Sequence, residues 1–154
     1  MWPFKKKEQK SLDAIRLNEH KWSVKRGNGK DGPLIVRINE SAKEWAKHPE
    51  LNIRAGFAIP LKIQNPEVLP DSKENEELNV IEDEICKLLC AAGPAIHVLA
   101  ITTGTFKEFL FYIKNGAGIE NAHKQAMARF PEYDIQCYGQ QDENWDAYYR
   151  WQKA

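Results

Sequence analysis

The chain has 154 residues, of which 42% are hydrophobic and 10% aromatic, enough apolar mass to build one domain's core and too much for a disordered chain. Lys+Arg and Asp+Glu each number 22, so the formal net charge is zero and a chain-wide basic coat for nucleic acid is excluded. Three cysteines (Cys86, Cys90 and Cys137) do not suit a secreted disulfide scaffold, and the uncharged run 88–105 is broken by Gly93-Pro94 and His97, so it does not read as a membrane span.

The opening Met1-Trp2-Pro3-Phe4-Lys5-Lys6-Lys7 is followed by charged residues instead of an apolar stretch. Residues 1–20 therefore read as a tail or short helix, not a signal peptide, and the expected compartment is the cytoplasm. Trp2 and Phe4 beside three lysines would suit an anionic membrane surface, but so few charges anchor weakly. Residues 21–154 read as a single α+β domain. Residues 12–19 suggest a short helix capped by Ser11. Residues 22–26 and 34–39 suggest a hairpin, joined through Gly27-Asn28-Gly29-Lys30-Asp31-Gly32, whose residues tolerate positive φ. Residues 41–47 predict a short helix that ends before Pro49.

The clearest strand signal covers 53–63, where Ile53, Ala55, Phe57, Ile59, Leu61 and Ile63 fall on one face. The clearest helix covers 74–92, with Leu78, Ile81, Ile85, Leu88, Leu89 and Ala92 as its apolar stripe and Gly93-Pro94 as its stop. Residues 95–102 and 106–114 predict two strands, and 118–129 a helix closed by Pro131. A strand follows over 133–138, with Tyr133, Ile135 and Cys137 on one face, and a last short helix over 145–151, capped by Asp142 or Asn144. From residue 53 the order is strand, helix, strand, strand, helix, strand. It predicts a two-layer α+β sandwich with a ferredoxin-like βαββαβ core over 53–138, extended by the N-terminal hairpin and short helix.

Motifs for chemistry are sparse. Cys86 and Cys90 share a helix face at i, i+4, and His97, His123 and Cys137 are the residues left to complete a zinc set. Neither Cys-x-x-Cys nor His-x-x-x-His occurs, so no metal is expected. The acidic helix around Cys86 and Cys90 opposes thiolate formation, and no Gly-x-Ser-x-Gly elbow exists. Glu82, Asp83 and Glu84 splay around a helix and cannot converge on one atom. Glu82 alone lies beside the apolar stripe, within reach of a strand. The glycine-rich segment 27–32 joins two strands, and Asn115-Gly116-Ala117-Gly118 has only two glycines, so no phosphate cradle or cofactor is expected.

An RNA-binding sheet would use Tyr112 and Tyr138 with Arg54, Lys62 and Lys114, but Glu108 dilutes that face and the RNA-recognition motif is missing. The most unusual stretch is 145–151. Trp145, Tyr148 and Tyr149 share a helix face there, and Trp151 follows. These aromatics either pack over the sheet or anchor a protein partner. The expectation is docking on the domain itself, with Tyr148 or Trp151 left exposed for a partner.

Trp22, then Asp31-Gly32-Pro33 leading into Ile35-Val36-Arg37-Ile38-Asn39, resembles the start of the bacterial domain of unknown function 695. Ile81-Glu82-Asp83 and Asn144-Trp145-Asp146 with Tyr149 are similar to its other landmarks. The resemblance extends distantly to the ferredoxin-like regulator of ribonuclease E activity, protein B type. It implies a bacterial, cytoplasmic regulatory or binding domain, and it brings no catalytic residues. The expected function is accordingly binding or regulation through contact with a protein. The candidate binding residues are Trp145, Tyr148, Tyr149, Trp151, Tyr112 and Tyr138. The alternatives are a small-substrate enzyme built on His97 or His123 with a carboxylate, and a single-stranded RNA binder.

Overall fold

Alternation along a strand buries every second side chain only where the opposite layer is apolar. In the computed structural model, which describes residues 10–15, 19–30 and 32–153, strand β3 (Ile53–Pro60) meets that condition, with Ala55, Phe57 and Ile59 wholly buried on one face. The other strands are β1 (Trp22–Gly29), β2 (Gly32–Asn39), β4 (Ala95–Thr103), β5 (Phe106–Ile113) and β6 (Gln136–Gln141). They form one sheet in the order β1-β2-β4-β5-β3-β6, and every pairing is antiparallel. The fold is therefore α+β on a six-stranded antiparallel sheet. The hairpin β1–β2 continues the sheet outside β4, where Val36 pairs with Ile101.

Helices α1 (Ser72–Ala92) and α2 (Ala117–Arg129) cover one face. The stripe Leu78, Ile81, Ile85 and Leu89 packs on Phe57, Phe109 and Phe111, as helical spacing requires. Asp71 caps α1 by accepting from the Glu74 amide at 2.8 Å. The two-layer expectation accounts for this face alone. The second face is also covered, by the 3-10 segment Glu40–Trp45, by Leu51 and by helix α3 (Asp146–Lys153). Trp145 and Tyr148 are wholly buried there against Val36, Ile38 and Tyr112.

Local differences from the sequence reading have physical causes. Strand β3 ends at Pro60; the Leu61 amide still reaches the Thr105 carbonyl at 2.9 Å, but the Glu74 carboxylate takes the amides of Lys62 at 2.6 Å and Ile63 at 3.4 Å, leaving the Ile63 side chain exposed. Strand β6 starts at Gln136 and not at Tyr133, because the Tyr133 amide bonds back to the Phe130 carbonyl in a turn. Strands β1 and β2 run on through Gly29 and Gly32, which shortens the expected loop. At φ +113 Gly32 has a conformation open to glycine, and a Cβ there would lie 1.9 Å from the Pro66 oxygen. In the expected first helix Leu12–Ala14 form a 3-10 turn; residues 16–18, Asp31 and the tail with Trp2 and Phe4 lie outside the described residues. Strand β4 shifts register between His97 and Leu99, so His97 and Thr102 both face α1 although an odd number of steps separates them.

Phe57 sits mid-strand under α1, flanked by Phe109 on β5 and Cys137 on β6. Phe57→Ala should lower unfolding free energy by about 3–5 kcal/mol in a denaturant titration. A loss below about 1 kcal/mol, typical of exposed sites, would mean that the faces of β3 are reversed.

Candidate functional site

The flank of α1 that faces the hairpin is polar. Asn75, Asn79, Glu82 and Cys86 recur at i, i+4, i+7 and i+11, the spacing of one helix face. With Trp22, Ile35 and Arg37 on the hairpin and His97 and Lys107 on β4 and β5, they enclose a cleft of about 700 Å³. Leu69 and Pro70, in the loop before α1, complete its mouth.

Glu82 is buried, and the Arg37 Nη2 donates to its Oε1 at 2.7 Å and its Oε2 at 2.5 Å. This charge-assisted pair joins α1 to β2. The Arg37 guanidinium also lies 5.4 Å from the Trp22 ring centroid, in cation–π range. The His97 Nδ1 is 3.6 Å from the Glu82 Oε2, while its Nε2 is 3.0 Å from the Leu99 carbonyl. A carbonyl only accepts, so Nε2 carries the proton and Nδ1 the lone pair. Burial, with Glu82 opposing and Arg37 assisting, pulls the His97 pKa down to about 4, so the ring is neutral at pH 7. It stacks on Phe111 at 4.4 Å and meets Trp22 edge-on at 5.0 Å.

Lys107 is 3% exposed, yet its Nζ meets only neutral oxygens, Oδ1 of Asn75 and Oδ1 of Asn79, each at 3.2 Å. Burial holds its pKa below the usual lysine value. The lysine lies in phase with Phe109, Phe111 and Ile113 on β5, a cation placed among core positions. That mismatch, and the polar spacing 75/79/82/86, were the signals available in the sequence for this cleft. Only Glu82 and His97 stand out without them.

The family model for DUF695, described as a family of unknown function, matches residues 20–151. The chain belongs to this family. No curated protein and no solved structure matches it. The landmarks by which the sequence resembles DUF695 include Trp22, Ile35, Arg37, Glu82 and Asp83, and all five line the cleft.

The aromatic candidates of this DUF695 chain lie elsewhere. Trp145 is wholly buried, stacks on Tyr112 with ring centroids 4.1 Å apart and donates its Nε1–H to the Leu51 carbonyl at 2.8 Å. Tyr112 donates its hydroxyl to Asp142 at 2.7 Å, and its ring offers no open face for a base. The Tyr148 hydroxyl donates to the Asn39 carbonyl at 2.7 Å. Tyr148 is thus closed to a partner, whereas Tyr149 and Trp151 are half-buried. Tyr138 is 37% exposed, lies over Gly56, where a Cβ would come within 2.2 Å of its ring, and donates its hydroxyl to Glu108 at 2.9 Å. Tyr112 and Tyr138 therefore do not form one stacking platform.

His123 bonds through its Nε2 to the Ile135 carbonyl and lines a separate pocket with Glu120, away from Glu82 and His97. The hydrogen bond with Cys90 and burial push the Cys86 thiol up, which opposes a nucleophilic role. Among the described residues no three His, Cys, Asp or Glu side chains are grouped to hold a metal ion, and no helix is long and apolar enough to cross a membrane.

The neutral state of His97 sets a pH dependence. The unfolded histidine takes its proton near 6.5 and the folded one only near about 4, so protonation favours the unfolded chain. This contribution to stability is fully present above 6.5 and is lost as pH falls toward about 4. Between about pH 7.5 and about pH 5, wild type should lose more stability than His97→Phe in matched denaturant titrations. Equal losses would contradict a buried neutral imidazole.

Proposed function

We propose that this protein is a binding or regulatory domain whose recognition site is the cleft beneath α1. The observation that carries the reading is a large concave space into which positioned polar groups converge, the usual form of a ligand site. A catalytic role fits less well. His97 spends Nε2 on a backbone carbonyl and stacks on Phe111, and Glu82 is held by Arg37, so this pair is poorly placed to move a proton. A regulatory role in a bacterial cytoplasm is the part of this reading that rests on the family resemblance alone. The ferredoxin-like reading of 53–138 is supported by β3 lying between β5 and β6 with α1 and α2 on one face, while the two strands added beside β4 depart from the four-stranded form.

Contact with a protein partner is a second reading, favoured by Trp151. With Arg150, Tyr138 and Pro66 it lines a separate groove of about 400 Å³ on the opposite face. The two readings separate in an NMR titration of the isotope-labelled protein with mixed acidic, basic and neutral fragments. The cleft reading expects the perturbed resonances to cluster at Trp22, Asn75 and Asn79. Clustering at Arg150 and Trp151 would move the site to the groove, and turnover of a fragment dependent on His97 would overturn the non-catalytic reading.

A further inference from the structure

The charges inside the cleft do not cancel. The Arg37 guanidinium is committed to both oxygens of Glu82, so that pair sums to zero. At the mouth Arg26 and Asp83, both exposed, offset each other. Lys107 is left as a buried positive charge that hydrogen-bonds to two carboxamide oxygens, with the Glu82 carboxylate acting on it from beyond ion-pair distance. A buried cation without a direct ion-pair partner is costly, and natural cores rarely keep one where an apolar residue would serve. Both Asn oxygens turn toward Lys107, so the two Nδ2 groups remain as donors beside it. One ammonium and two amide donors form a receptor for an anionic oxygen group. The neighbouring walls are different: Trp22, Ile35, Leu69 and Pro70 present an indole and three apolar surfaces.

We infer that the cleft binds a small organic anion, its carboxylate or phosphate head at Lys107 and its planar or apolar body against Trp22 and Ile35. This inference rests on the cleft being the recognition site, and it adds the chemistry of the ligand. It needs no movement of the Glu82–Arg37 pair, which forms the adjoining wall. The anion supplies the direct ion-pair partner that Lys107 lacks among the described residues, and the indole supplies a face for a flat body.

The test uses four probes on the full chain, read by NMR shifts and by tryptophan fluorescence: benzoate, phenyl phosphate, inorganic phosphate and neutral benzyl alcohol. Benzoate or phenyl phosphate should perturb Asn75, Asn79, Lys107 and the Trp22 indole, and bind at least about tenfold tighter than benzyl alcohol. Which of the two binds more tightly assigns the head group, and inorganic phosphate matching phenyl phosphate would discard the apolar wall from the proposal. Lys107→Met should abolish the preference for anions while leaving the melting transition cooperative. Should that variant fail to fold, Asn79→Asp places a carboxylate beside Lys107 and should weaken the anions without weakening benzyl alcohol. Benzyl alcohol binding as tightly as the anions would overturn the anion inference and leave the cleft as a binding site. Silence of every probe at the cleft would overturn both.

Discussion

A carboxylate under a helix has to find a cation, and the cation that Glu82 finds stands on another element. Leu78, Ile81 and Ile85 seat α1 on the central strands, as any amphipathic helix is seated. The hairpin β1–β2 has no such apolar hold on α1. It joins the sheet through β2 and β4 and meets the helix through Arg37. The pair thus holds the hairpin wall opposite the helix while leaving a cleft between them that side chains do not fill. His97 and Lys107 form its floor, and both have pKa values lowered first by burial.

The other face of the sheet is closed by different means. Burial pushes the Asp142 carboxyl up, but hydrogen bonds from Tyr112, from the amides of Asp146 and Ala147, and the charge of Arg54 outweigh it and hold the carboxyl below its usual range. Asp142 therefore caps α3 and ties it to β3 and β5 at once. Trp145, just before the helix, has φ 57, a conformation uncommon for a bulky side chain, and it is kept there by the Tyr112 stack and the Leu51 carbonyl. The aromatic segment is thus mainly core. It lies on the far side of the sheet from the cleft.

Much of this was legible in the sequence where one period dominates. The alternation from Ile53 and the stripe from Leu78 to Leu89 specify strand and helix because each has a single apolar neighbour layer. The shift in β4 was not legible, since Val98, Leu99 and Ala100 are all apolar and alternation carries no phase information through them. The covering of the second face was half legible: the aromatics of 145–151 announced burial, but their docking depends on Asp142 meeting Arg54 and Tyr112 from distant strands. At the site, Glu82 stood out by its place beside the stripe. Lys107 is equally anomalous beside Phe109 and Phe111, but its partners Asn75 and Asn79 lie on α1, and no local pattern links the two segments.

A double-mutant cycle between Glu82 and Arg37 tests the central claim most directly. Unfolding free energies of wild type, Glu82→Gln, Arg37→Met and the double variant give the coupling between helix and hairpin without the separate cost of each substitution. A joint that holds the cleft wall should show a coupling of at least about 1.5 kcal/mol, the double variant losing that much less than the sum of the two single losses. A coupling below about 0.5 kcal/mol, the range of independent sites, would contradict it and leave the hairpin held without help from α1.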